Sequence, residues 1–158
     1  MADLESKVGG VPPFPVGAAS SEAVTSRMKR QLARDTNPEL LLRRHLHRSG
    51  LRYRVDAPLP GMPRRRADVL FTRWKVAVFV DGCFWHCCPV HGVAPKANAE
   101  WWSTKLGRNV QRDRETDASL RAQGWQVLRF WEHEDMHVAA QSVQAVIFER
   151  RTQIRPQA

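Results

Sequence analysis

The run Val76-Ala77-Val78-Phe79-Val80 carries no polar residue, so it reads as a buried strand. It leads straight into Asp81-Gly82-Cys83-Phe84-Trp85-His86-Cys87-Cys88-Pro89-Val90-His91, which gathers all three cysteines of the chain, two of its six histidines and a Phe-Trp pair. Soft metal ligands and large flat side chains therefore stand at the C-terminal end of a sheet strand, where sites are commonly built.

The rest of the chain has to supply a sheet for that strand and a cover for the sheet. The 158 residues, 42% of them hydrophobic, suffice for one domain with one core. Residues 1–20, with Gly9-Gly10, Pro12-Pro13 and Pro15, have no hydrophobic period and read as a disordered leader. The domain is expected over 21–150, and 151–158 as a loose tail.

Asp35-Thr36-Asn37-Pro38-Glu39 offers an N-cap oxygen and a proline at the first turn, starting a helix that ends at Gly50. A short strand over 52–55 follows, then a turn through Pro58-Leu59-Pro60-Gly61-Met62-Pro63. Strands over 67–72 and 76–80, joined by Arg73-Trp74-Lys75, predict an antiparallel hairpin. Asn98 is placed to cap a helix running to Gly124, with a break near Gly107. A strand over 125–131 and a helix over 135–150, turning Val138, Val143, Val146 and Ile147 inward, complete the order. The fold class is α/β, a small mixed sheet flanked by helices.

A formal charge of +9, with 25 Lys and Arg against 16 Asp and Glu, favours a polyanion as partner. Charge alone does not separate that from simple solubility. Six tryptophans tilt the balance to nucleic acid, because flat side chains stack on bases or wedge between them. No apolar run approaches the roughly 20 residues that span a bilayer. The first residues lack the layout of a signal peptide, so a cytoplasmic location is expected. There thiols stay reduced, and clustered cysteines suggest a metal more than disulfides.

Cys83, Cys88 and His91 give three ligands, and structural zinc takes four. His133, just past the strand over 125–131, is the candidate fourth. Cys87 competes with Cys88, but neighbours in an extended chain point oppositely, so only one faces the metal. Cysteines packed as small hydrophobes are the alternative. Pro89 and Gly92 argue against it, since they mark the turn around His91 that a metal knuckle needs.

Asp68 stands at the head of an apolar strand, where a carboxylate is costly unless it is paired or holds a cation. Asp81 ends the neighbouring strand, so the two carboxylates can approach across the sheet as hard ligands for magnesium. His86 is near enough to act on a water or a leaving oxygen, and Glu39 is a further candidate. Each has an ordinary alternative: an ion pair of Asp68 with Arg64 or Arg66, an Asp81-Gly82 turn, and a first-turn role for Glu39 in its helix.

Together these residues resemble the very short patch repair (Vsr) mismatch endonucleases, a zinc-containing branch of the PD-(D/E)xK nuclease superfamily. The resemblance covers residues 25–134. It rests on Ser26-Arg27-Met28-Lys29, Asp35-Thr36-Asn37-Pro38-Glu39, Ala67-Asp68-Val69, Gly82-Cys83-Phe84-Trp85-His86, Trp102 with Lys105, Arg108-Asn109-Val110-Gln111-Arg112-Asp113, and Gly124-Trp125-Gln126-Val127-Leu128. Of these, Gly-Cys-Phe-Trp-His is the most specific. The resemblance implies a restriction-endonuclease-like fold and magnesium-dependent nicking of double-stranded DNA on the 5′ side of the T in a T:G mismatch left by deamination of 5-methylcytosine.

By the same resemblance Asp68 and the Val80 carbonyl hold magnesium, while His86 and Glu39 belong to the active site. Phe84, Trp85 and Trp102 form an aromatic wedge beside the mismatch, and Arg27, Met28 and Lys29 lie on a minor-groove arm. Two positions depart from the family pattern. Asp81 stands where some members carry a histidine, and His133 where a cysteine ligand can occur. The implied partners are mismatched DNA and mismatch-repair accessory proteins, with the chain a monomer, nucleoid-associated and away from membranes. Two other readings fit the residues alone: a zinc-stabilised DNA-binding module without cleavage, and a restriction-type nuclease on unmismatched sites.

Overall fold

A computed structural model of the chain describes residues 34–92 and 96–154. The elements follow as α1 (Asn37–Arg48), β1 (Arg54–Leu59), β2 (Met62–Phe71), β3 (Val76–Asp81), α2 (Ala99–Ala122), β4 (Gln126–Trp131) and α3 (Met136–Ile154). The four strands form one sheet in the order β1-β2-β3-β4. The first two pairings are antiparallel and β3 pairs with β4 in parallel, so the sheet is mixed, as expected. The leader and the residues Arg27, Met28 and Lys29 lie outside the described residues.

β3 occupies the middle of this sandwich. Its Val76 and Val78 join Leu42 and Leu46 of α1 with Val143 and Ile147 of α3 in one core cluster. Ala77 and Phe79 face the other way, into a second cluster with Leu120 of α2 and Val127 of β4. Both faces are therefore covered, which is why the run reads as uniformly apolar rather than alternating.

Several boundaries differ from the expectation for local reasons. The segment 58–63 is mostly strand, because Leu59 pairs directly with Met62 around Pro60-Gly61, and Gly61 has φ of +70°. Pro58 is tolerated because β1 is an edge strand. α2 runs unbroken through Gly107, whose α-carbon faces open space. The buried stripe of Trp102, Leu106, Thr116 and Leu120 outweighs the roughly 1 kcal/mol propensity cost of one helical glycine. In α3, Val138 is 55% exposed, since the buried positions are Met136, Ala139, Ala140, Val143 and Ile147.

The helix caps also differ. Asn98 adopts a left-handed conformation with φ of +55° and makes no side-chain cap. At α1 the Thr36 side chain does not cap the backbone either. Glu39 does that work in reverse: its Oε2 accepts the Asp35 N–H at 2.9 Å and its Oε1 accepts the Thr36 hydroxyl at 2.8 Å. Among the described residues no helix is long and apolar enough to cross a membrane.

Candidate active site

The β2–β3 ladder pairs Phe71, Leu70 and Val69 with Val76, Ala77 and Val78 and goes no further. Where the strands part, the Asp68 carboxylate replaces the missing main-chain acceptor and takes the Val80 N–H at 2.7 Å. Asp68 lies within β2 rather than at its head, and Arg66 is engaged elsewhere, with Asp56 at 2.9 Å. Burial pushes the Asp68 carboxyl up to about 7, and the negative charges of Glu39 and Asp81 add to the effect against the Val80 hydrogen bond and Arg43. In β3 the Asp81 carbonyl accepts, on the β4 side, the N–H of Glu132, the residue that follows β4. Strand alternation turns the Val80 N–H and carbonyl together to the opposite side, that of Asp68.

Glu39 reaches this place from α1. It is buried, and besides closing the helix start it accepts from Arg43 Nη2 at 2.8 Å. The Arg43 guanidinium also holds Asp35 at 2.6 Å, while its Nε is buried without a hydrogen-bond partner.

His86 stands on the turn that follows β3. The turn is shaped by His86 N–H to the Gly82 carbonyl at 3.1 Å, Cys88 N–H to the Cys83 carbonyl at 2.9 Å, and Asn109 Nδ2 of α2 to the Trp85 carbonyl at 3.1 Å. His86 Nδ1 lies 2.5 Å from Asp113 Oδ2, also on α2, and 3.8 Å from Asp81 Oδ1. An ionised carboxylate only accepts, so Nδ1 carries the proton and Nε2 is left as the acceptor of a neutral ring. Burial opposes charging of the imidazole, but the Asp113 hydrogen bond and the two carboxylate charges outweigh it and raise its pKa. Asp81 is buried, which raises its own pKa against the attraction of Arg129, whose Nη1 is 2.7 Å from Oδ1.

The four ligand atoms expected for a metal come together: those of Cys83, Cys88, His91 and His133 all lie within 4.8 Å of one another. Cys83 Sγ is 3.0 Å and Cys88 Sγ 3.8 Å from His133 Nδ1. Two thiols and two imidazoles at this spacing suit a tetrahedral ion. Burial, then Cys88 and Glu132, push the Cys83 thiol up to about 11, a cost that a cation bound by thiolates would remove. Cys88 is buried and Cys87 exposed. The separation arises in a turn, with Cys87 at φ of +56°, and not from strand alternation. Gly92 is required there, since a Cβ would lie 2.4 Å from the Cys88 carbonyl oxygen.

Phe84 and Trp85 share the same turn, so they do not point to opposite faces. Their rings touch at 5.1 Å between centroids, and Phe84 meets Trp102 at 5.3 Å. Both are half-buried, whereas Trp102 is only 5% exposed and forms the floor beneath them. Lys105 lies over the rings of Trp85, Trp101 and Trp102 at 5.3, 4.7 and 5.4 Å. The result is an aromatic cluster with a positive charge at its edge.

The reading from sequence gave no role to Asp113, Asp117, Arg129, Asn109 or Glu132. A signal existed for three of them. Asp113 and Asp117 are four apart on α2, and Arg129 shares the period-2 face of β4 with Val127, the face that meets α2. Glu132 Oε1 accepts the Cys83 N–H at 2.7 Å, a contact no local pattern announces.

The family model of the DNA mismatch endonuclease Vsr matches residues 20–91. The type II nicking enzyme V.NaeI of Lentzea aerocolonigenes is 43% identical over 144 residues, covering 90% of this chain and 84% of that protein. The type II nicking enzyme V.NmeDIP of Neisseria meningitidis serogroup C is 39% identical over 109 residues, covering 68% and 72%. The DNA mismatch endonuclease Vsr of Escherichia coli K12 is 40% identical over 115 residues, covering 70% of each.

Proposed function

The chain belongs to the Vsr family of DNA mismatch endonucleases, and on that premise we propose that it nicks double-stranded DNA 5′ of the T in a T:G mismatch, with magnesium, as the first step of very short patch repair. The observation that carries this reading is the Asp68 carboxylate, held against Val80 where two strands part and pushed up to about 7 by burial and two neighbouring carboxylates. A divalent cation beside such a group would stabilise the charged form that burial and the neighbouring carboxylates disfavour.

Asp68 and the Val80 carbonyl hold the magnesium, which when bound neutralises the charge that a phosphodiester gains as water adds to it. His86 Nε2 accepts the proton of the attacking water, and Asp113 fixes the ring that does so. Glu39 and Asp81 complete the negative lining, Glu39 tied to Arg43 and Asp81 to Arg129. Cys83, Cys88, His91 and His133 hold zinc, which ties the end of β3 to the end of β4 and so fixes the turn carrying His86.

Recognition starts from deformation. A mismatched step is cheaper to unstack, so a wedge of Phe84 and Trp85 supported by Trp102 selects it by energy. Arg27, Met28 and Lys29 add contacts in the groove. The test compares a T:G duplex with its T:A control, with and without magnesium. Nicking of the T:G duplex alone supports the proposal. Mismatch binding without cleavage would favour the zinc-stabilised binding module, and cleavage of both duplexes the restriction-type nuclease.

A further inference from the structure

Two carboxylates compete for one imidazole proton in this site. Asp113 Oδ2 is 2.5 Å from His86 Nδ1 and Asp81 Oδ1 is 3.8 Å from the same atom. Nδ1 carries one hydrogen, and the carboxylate that takes it decides how the ring is turned and where Nε2 points.

Arg129 touches both competitors. Its Nη1 lies 2.7 and 3.0 Å from the two Asp81 oxygens. Its Nε lies 3.1 and 3.2 Å from those of Asp117, and Nη2 adds Asp117 Oδ1 at 3.0 Å. Nη2 is also 3.7 Å from Asp113 Oδ1, the oxygen that His86 does not use. The guanidinium lies over the Phe79 ring at 4.3 Å, so its plane is fixed as well as its ends. A planar fork can hold two carboxylates in this way and an ammonium cannot.

We propose that Arg129 is a positioning residue that draws Asp81 off the imidazole, leaving Asp113 alone to orient His86. The proposal rests on the reading of His86 as the group that takes the water proton. Three aspartates from two elements converge on the guanidinium, and the one nearest the imidazole without bonding it is the one Arg129 grips with Nη1 on both oxygens. Without Arg129, Asp81 is the nearest free acceptor for Nδ1–H. The ring then swings from α2 towards the end of β3, and Nε2 leaves the path of the attacking water. Asp81 is accordingly a tolerated competitor in this chain, and Arg129 is the device that makes it tolerable.

The experiment compares Arg129→Gln, with and without Asp81→Asn, on the full chain. Arg129→Gln is expected to lower turnover on a saturating T:G duplex by about 100-fold, the scale of a misplaced catalytic group, with duplex affinity held within about threefold. Adding Asp81→Asn to Arg129→Gln removes the competitor and is expected to recover about tenfold or more of that loss. A double variant no faster than Arg129→Gln would overturn the proposal, as would a loss that falls on affinity instead of turnover. Arg129→Lys, which keeps the charge without the fork, guards against a misfolded Gln variant and is expected to lie between it and wild type.

A second readout does not depend on cleavage. In an imidazole-optimised ¹H–¹⁵N spectrum at fixed pH, the His86 Nδ1–H resonance, identified by its loss in His86→Gln, should shift in Arg129→Gln and return in the double variant. A resonance unmoved by Arg129→Gln contradicts the proposal. If the wild-type chain nicked no T:G duplex, the functional reading would fail while this spectrum still decided the role of Arg129.

Discussion

Asp68 serves Val80 as a main-chain partner would, accepting its N–H at 2.7 Å just beyond the last β2–β3 pair. The carboxylate is thereby fixed at a fork in the sheet with one oxygen engaged and one able to take a cation. Asp68→Asn keeps the shape and removes the charge. It is expected to lower nicking by about 1,000-fold or more, equivalent to roughly 4 kcal/mol, while T:G duplex binding stays near wild type. Parallel turnover and binding measurements check this, and retained magnesium-dependent cleavage would move the metal elsewhere.

The same carboxyl makes stability depend on pH in the metal-free protein. Its folded pKa is raised to about 7 from 3.8, so the native state holds the proton more tightly than the unfolded chain does. The stability this contributes is fully present below pH 3.8 and is lost as pH rises through about 7. Urea midpoints are therefore expected to fall across that window in wild type and to fall less in Asp68→Asn. Added magnesium should recover stability at the alkaline end, where the carboxylate is charged.

Zinc analysis should give one ion per chain, lost in Cys88→Ser and His133→Ala and kept in Cys87→Ser. Binding and folding are coupled at such a site, so the first two variants are expected to melt lower by on the order of 10 °C. Retention in Cys88→Ser with loss in Cys87→Ser would exchange the roles of the two cysteines.

The aromatic residues should divide into two kinds. Trp85→Ala is expected to narrow the difference between T:G and T:A binding by about 1–3 kcal/mol, the scale of a base stacked on an aromatic ring. Trp102, 5% exposed beneath Phe84, should also cost stability when truncated, about 3–5 kcal/mol. Equal loss of affinity for both duplexes in Trp85→Ala would make that ring structural and place mismatch selection elsewhere.

What could be read from the sequence was local or periodic. The apolar run of β3, the hairpin through Arg73-Trp74-Lys75 and the Cys/His spacing with its partner His133 each follow from a pattern within a few residues or from adjacent strand ends. The boundaries of β1 and β2 were not, because edge prolines look like turn prolines until the pairing of Leu59 with Met62 is known. The Arg129 network was hidden for another reason. Asp81, Asp113, Asp117 and Arg129 are spread over three elements, and only packing of α2 on the sheet makes one ion cluster of them. Asp81 illustrates the same limit, since nothing nearby in the chain revealed that Arg129 holds it in place, whereas the hold of Arg43 on Glu39 is an i,i+4 pair within α1 that helix spacing announces.

The proposed activity is tested most directly by strand-specific nicking by the wild-type chain on two duplexes that differ only in a T:G or a T:A pair. A single magnesium-dependent break is expected 5′ of the mismatched T, absent from the T:A duplex and absent in Asp68→Asn. Cleavage of both duplexes alike, or a break that survives both removal of divalent metal and loss of the Asp68 carboxylate, would contradict it.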